Sequence, residues 1–388
     1  MRGLGRDSAS AVAAATASSL AVFFVAALAV EIRGSLHFGA SAFGLALSLY
    51  YVGAAAGSVP LGRLAEAVGG LRVMRGAALA SGCVLAALGG LSHSWAALSG
   101  LLFLAGLISS AMQPASNLFL ARRIDRSRQG TAFGIKQAAV PTAALLSGLA
   151  VPAIALTVGW RWAFAAAALL ALGAYFVLPR PRLTLAAHRE ALSQSAPPKV
   201  GLPLLVLATG FFLGIFAATG MTAFLVTSAV ASGLSKADAG LVAALAGAIA
   251  IATRVIVGIR ADQRGRAHFP VVALMLLAGV AGYCALALAS AKDWHWLFIL
   301  GAAVAYGAGW GWNGLFNFAV VRTHRHAPAR ATSITQVGGR LAGVAGPLTF
   351  GIVEAHASFA TAWSINAIAA LVGSGIILLG RHLMIRAA

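Results

Sequence analysis

The chain has 388 residues, 60% of them hydrophobic and only 10% charged, with a mean hydropathy of +0.89. A soluble chain carries about 25% charged residues because its surface must be wet, so this composition excludes ordinary soluble domains and leaves a chain whose outer surface faces lipid. The net charge of +19 sits in short loops between apolar runs, with no basic stripe of interleaved aromatics, which excludes a nucleic-acid partner.

A membrane-crossing helix needs about 20 apolar residues. In chain order, Arg2 and Arg6 precede the first such run, which is too long for a signal-peptide core and reads as a permanent helix. The first six spans are predicted at 11–31, 41–61, 73–91, 95–119, 130–153 and 160–178. Cys83 and Cys284 each lie inside an apolar run and read as small buried hydrophobes, with no disulfide framework. The segment 179–200, PRPRLTLAAHREALSQSAPPKV, is rich in Pro and Ser and reads as a linker. Six further spans follow at 201–227, 238–258, 269–290, 295–320, 331–353 and 358–380. The expectation is an all-α integral membrane protein of twelve transmembrane helices in two six-helix bundles, 1–178 and 201–388. Twenty-one of the 28 Lys and Arg fall on the side of the termini, four on the other side, and three inside spans. The positive-inside rule then makes both termini cytoplasmic.

The two halves echo each other. The loop after span 2 reads GRLAEAVGGLR, with Gly62, Glu66, Gly69 and Arg72; the loop after span 8 reads GIRADQRGRA, with Gly258, Asp262 and Arg264. Span 5 opens with GIKQAA and span 11 with SITQVG, so Gln137 and Gln336 take equivalent places. These features, with GWRWAF at 159–164, resemble the major facilitator superfamily over the whole chain, although Glu66 and Ala67 replace the Asp and first Arg of its usual loop. The resemblance implies a two-bundle carrier in a bacterial plasma (inner) membrane, with the loop motifs as gating elements and a site lined by spans 1, 4, 7 and 10. Their glycines should let helix ends approach closely, and their acids should pair across the bundle. Arg254, four residues before Gly258, is similar to the monocarboxylate and oxalate/formate exchange branches. Span 1 has no Lys and Ala250 stands four before Arg254, both departures from the monocarboxylate pattern.

Polar stripes mark a candidate site. Span 4 carries Gln113 and Asn117, and span 10 carries Tyr306, Trp310, Asn313 and Asn317, at helical steps of three and four. Amides are costly in lipid, so these faces should point inward. Lys136, Arg254 and Arg340 interrupt spans 5, 8 and 11, with Gln336 one turn before Arg340. Each cation is a functional candidate, and Lys136 and Arg254 could instead snorkel to the interface. No carboxylate falls in the inner two-thirds of a predicted span; Glu31 and Glu354, at outer ends, are candidate proton sites. The expected function is alternating-access transport of a small organic anion, possible proton coupling, and a monomer among membrane lipids. The alternative is efflux of drugs or amphiphiles. An enzyme or receptor finds little support: the close pair His324 and His326 lies in a basic loop, and no phosphate-binding loop, metal cluster or cofactor motif appears.

Overall fold

The computed structural model describes residues 2–123, 135–180, 201–264, 268–323 and 328–387; residues 181–200 of the expected linker at 179–200, the residues 130–134 of span 5, and His324 and His326 lie outside them. All regular structure among the described residues is helical. The first six spans are α1 (Arg2–Ala27, continued by Ala29–Leu36), α2 (Ala40–Val68), α3 (Gly70–Leu91), α4 (Trp95–Arg123), α5 (Ile135–Ala155) and α6 (Trp160–Val177). The second six are α7 (Leu202–Ala231), α8 (Lys236–Arg264), α9 (His268–Lys292), α10 (His295–Gly307 and Asn313–Thr323), α11 (Pro328–His356) and α12 (Phe359–Ala387). Ten of these are long and apolar enough to cross a membrane. The other two are the divided α10 and α11, which carries Gln336, Arg340 and Glu354.

Several helices outrun the expected spans. At 29 residues, α2, α8 and α11 are roughly 43 Å long, against a hydrocarbon core of about 30 Å. Their polar ends, which resemble loops in sequence, are helical turns projecting beyond the apolar run. Gly62 and Glu66 therefore sit inside α2, Arg72 sits in α3, and the turn between them is the single residue Gly69 at φ +94°. A side chain at that φ would be strained, so glycine is what permits so short a connection.

Outward faces are apolar: Leu169, Phe176, Leu274 and Trp296 are all exposed, while Trp312, Trp363, Phe43 and Phe224 are fully buried. Cys83 and Cys284 are exposed as well, contrary to the expectation that they are buried. Lipid solvates a thiol-bearing face as it does an alanine, so an apolar run alone does not say which face is inside.

The same polar tie recurs in each half. Thr16 of α1 donates to the Ala139 carbonyl of α5 at 3.1 Å, and Thr219 of α7 donates to the Ala342 carbonyl of α11 at 3.2 Å.

The halves meet along two seams. Between α2 and α11, Ser48 Oγ donates to the Val344 carbonyl at 2.7 Å, Gly44 lies against the Pro347 carbonyl, and Gly351 against the Ala40 carbonyl. This seam runs to Tyr51 beside Gly343. Between α5 and α8, Gly148 faces Gly240 and Ala244, and Gly247 faces Leu145. A π-turn at Val151–Ala155, containing Pro152, presses on Gly240. Each seam is closest in the half away from the termini, where small residues let backbones approach. On that far face Lys236 of α8 reaches Glu31 of the α1 continuation at 3.3 Å.

Candidate substrate site

Two polar nodes occupy the same place in the two halves. In the first, Lys136 Nζ of α5 donates to Gln113 Oε1 and Asn117 Oδ1 of α4, both at 2.6 Å, with the Gln113 carbonyl at 3.5 Å. In the second, Asn317 Nδ2 donates to Asn313 Oδ1 within α10 at 2.9 Å, and Gln336 Nε2 of α11 donates to Asn317 Oδ1 at 3.0 Å. Each node joins an i, i+4 amide pair to a polar residue on the next span but one turn of chain away in space. The amide pairs were legible as helical stripes; the partners across helices were not.

Lys136 is buried, at 3% exposure, so it does not snorkel. Its three donors meet three carbonyl oxygens, which satisfies an ammonium without any counter-charge. The cation is thus committed to holding α5 against α4.

Arg254 also fails to snorkel. It lies ten residues before the end of α8, about 15 Å along the helix and deeper than the sequence suggested. It is 8% exposed. Its Nη1 donates to the Gln137 carbonyl of α5 at 2.8 Å, across the seam between halves. Its Nη2 donates to the Trp310 carbonyl at 3.3 Å, and its guanidinium carbon stands 4.6 Å from the centre of the Trp310 ring. Nε is buried without a partner.

The Trp310 carbonyl is available because α10 is broken. Residues 308–312 form turns within GAGWGW, where a continuous helix was expected. Gly309 packs on Gly279 of α9, Gly311 on Thr253 of α8, and Trp312 Nε1 donates to the Gly309 carbonyl at 2.8 Å. Side chains and a neighbouring helix thereby satisfy carbonyls that helix geometry leaves free, as irregular backbone at membrane depth requires. Three alternating glycines at 307, 309 and 311 were the sequence signal for this break.

Other arginines follow the same rule of binding helix-end carbonyls. Arg75 Nη1 donates to the Leu178 carbonyl at 2.8 Å, and Arg161 to the carbonyls of Gly89 at 2.8 Å and Ser92 at 3.0 Å. Arg72 Nη1 donates to the Val68 carbonyl at 3.2 Å. These three arginines thus sit at the negative ends of helix dipoles.

Arg340 is the exception among the interior cations. It is half-buried, one turn after Gln336 and three residues before Gly343, both of which face the interior. Among the described residues it has neither a hydrogen-bond partner nor an ion pair. Between the halves, beyond these residues, two small spaces remain. One is lined by Phe23, Tyr51, Thr219, Thr222 and Pro347, the other by Phe23, Ser147, Thr222 and Tyr306. Trp310 closes this region, 5.3 Å from Tyr306 and 5.8 Å from Phe23 between ring centres.

The loop motifs behave differently from expectation. No described residue stands within 4 Å of where a side chain at Gly62 or Gly258 would begin, so among the described residues these glycines do not mediate a close helix contact. Glu66 is exposed on α2 without an ion-pair partner among the described residues; the side chains of Asp262 and Arg264 lie outside them. Glu354 has a buried Oε2 without a hydrogen-bond partner, and Glu31 pairs with Lys236. Among the described residues no group of His, Cys, Asp or Glu could hold a metal ion.

Comparison of the sequence with curated proteins finds no significant match. Two solved structures share the fold over nearly the whole chain. Both are of a bacterial homolog to the human lysosomal transporter Spinster. The inward-facing and occupied conformation matches with a TM-score of 0.71 at 13% identity, covering 97% of this chain and 96% of that one. The inward-facing and unoccupied conformation gives 0.65 at 13% identity, covering 98% and 96%. The family model of the Major Facilitator Superfamily matches residues 10–347. Twelve spans in two halves, one polar node within each half and a family match over most of the length lead to one conclusion: the chain is a membrane transporter belonging to the major facilitator superfamily.

Proposed function

We propose that the protein carries a small organic anion, of carboxylate type, across a bacterial plasma membrane by alternating access, with both termini cytoplasmic. One observation carries the reading. Three cations lie inside the expected spans: Lys136 meets three neutral oxygens, Arg254 meets two with its buried Nε left over, and half-buried Arg340 has no partner among the described residues. Removing a cation from water costs several kcal/mol in a real protein, and Arg340 offers a planar fork of donors that matches a carboxylate. A bound anion offsets that cost. In this reading Arg340 holds the carboxylate, Gln336, Asn313 and Asn317 orient its polar atoms, and Trp310 and Tyr306 enclose its apolar part. Lys136 and Gln137 support the site from behind, and Lys136, held by Gln113 and Asn117, adds positive potential without direct contact. Glu31 and Glu354, at the far mouth, are the groups a coupling proton would use.

The test is counterflow of a panel of labelled organic acids in proteoliposomes. Arg340→Gln abolishes uptake of the acid that wild type carries, while inserted protein remains equal. Unchanged counterflow in that variant would discard the site.

A second reading, efflux of amphiphilic compounds, draws on the aromatic lining of Phe23, Tyr51, Tyr306 and Trp310. It expects transport of neutral or cationic amphiphiles with little dependence on Arg340.

A further inference from the structure

We infer that Arg254 is a substrate-released clasp between the two halves, an inference that rests on the anion reading of the site. Its guanidinium joins α8, on which it stands, and the break in α10 of the same half, through the Trp310 carbonyl at 3.3 Å, to α5 of the other half, through the Gln137 carbonyl at 2.8 Å; alternating access must move that other half relative to both. The clasp lies toward the termini. Fourteen residues of α8, roughly 21 Å of helix, separate it from the Gly240–Gly148 contact near the far face. The glycine and hydroxyl contacts of the α2–α11 seam run from the far face to Tyr51 and Gly343. Arg254 therefore fastens the α5–α8 seam nearer the termini than those contacts, beside the Gln137 side chain that packs against Gly314 of α10.

Its partners make the fastening exchangeable. Both acceptors are neutral backbone carbonyls, and the buried Nε has none. A carboxylate accepts two parallel bonds from a guanidinium and adds a charge attraction that a neutral carbonyl lacks. An anion arriving beside Trp310 thus offers Arg254 a better acceptor than Gln137 does. Taking it means leaving the Gln137 carbonyl, which frees α5 from α8, and loosening the Trp310 carbonyl at the flexible break of α10. Trp310 also packs on Phe23 of α1, so the release is felt by a second helix of the opposite half. Arg254 acts here as a positioning residue: it reports occupancy of the site to the seam.

The experiment is a spin-label distance measurement on full-length protein with Cys83→Ser and Cys284→Ser. Labels go at Ile135→Cys on α5 and Ile259→Cys on α8, both exposed positions near the clasp. The probes are formate, lactate, oxalate and succinate, added singly. In the Arg254-containing protein the expected result is one narrow distance without anion, and a longer, broader one with at least one acid. Arg254→Gln should show the long, broad distribution without any acid and no further response. If that variant does not fold, Arg254→Lys, which keeps the charge but cannot bridge two carbonyls with a planar fork, is expected to behave the same way. An Arg254→Gln distance equal to wild type without acid overturns the clasp. A clasp opened by Arg254→Gln but moved by none of the acids overturns its release by substrate. Loss of the anion reading itself shows elsewhere, as Arg340-independent counterflow, so the two failures are distinguishable.

Discussion

Lys136 poses a question of sign that the structure answers. Replacing it with methionine keeps the length of the stem and removes the charge. Two short hydrogen bonds to Gln113 Oε1 and Asn117 Oδ1 are lost, each worth about 1.5–3 kcal/mol because the donor is charged. The ion's burial penalty, several kcal/mol for a group at 3% exposure, is recovered at the same time. Both amides are themselves exposed, so they can find other partners rather than remain orphaned. The two effects nearly cancel, and Lys136→Met should lie within about 2 kcal/mol of wild type in stability. The reverse deletion is not balanced. Gln113→Leu combined with Asn117→Leu leaves a buried ammonium with one carbonyl at 3.5 Å, and breaking one side of a buried charged cluster costs about 3–5 kcal/mol. The assay is thermal unfolding in detergent of wild type, Lys136→Met and the double leucine variant. The order expected is wild type close to Lys136→Met, with the double variant well below both. If Lys136→Met unfolds as early as the double variant, the ammonium is a structural keystone and the reasoning about its solvation is wrong.

Three further predictions concern packing and exposure. Gly44→Val and Gly148→Val each place a branched side chain against backbone of the opposite half, at the Pro347 carbonyl and at Gly240 and Ala244. Overpacking costs about 1–3 kcal/mol, and on the alternating-access reading these seams must close whenever the far side is sealed. Transport should therefore fall to background while the protein still inserts, as judged by labelled-substrate uptake against membrane yield; full transport by either variant would show that the seams need not close. Trp312→Phe keeps a ring edge-to-face with Phe211 and Phe316 but leaves the Gly309 carbonyl without its indole donor, a loss of about 1–2 kcal/mol visible in thermal unfolding. An unchanged midpoint would mean that this carbonyl is satisfied otherwise. Cys83 and Cys284 face outward, so a lipophilic maleimide should label both in native membranes and a charged, impermeant one neither; the reverse pattern would place them on a wet surface.

Much of the architecture is legible in the chain because lipid imposes a length and an apolar composition on each span. Boundaries are less so. The α8 end was expected near 258 because Arg260, Asp262 and Arg264 look like a loop, whereas the helix carries them outward to Arg264. That error also placed Arg254 too near the interface. Gln113 with Asn117, and Asn313 with Asn317, were visible as stripes because their spacing is helical. Their link to Lys136 or Gln336 depends on how helices pack, and 19 to 23 residues of intervening chain do not encode it by periodicity. Arg254 was singled out as an intramembrane charge, but its acceptors are backbone carbonyls, which every residue carries and no side-chain pattern marks. The break in α10 left a trace in Gly307, Gly309 and Gly311, yet two tryptophans beside them kept the run apolar enough to read as one helix.

The account stands most directly on charge recognition. For the acid that the wild-type protein carries in counterflow, the decisive measurement is competition by the unlabelled acid and by its uncharged primary amide, equal in shape and size. The account predicts that the acid inhibits and that the amide at the same concentration does not. Equal inhibition by the two would contradict a site built around an unpaired arginine.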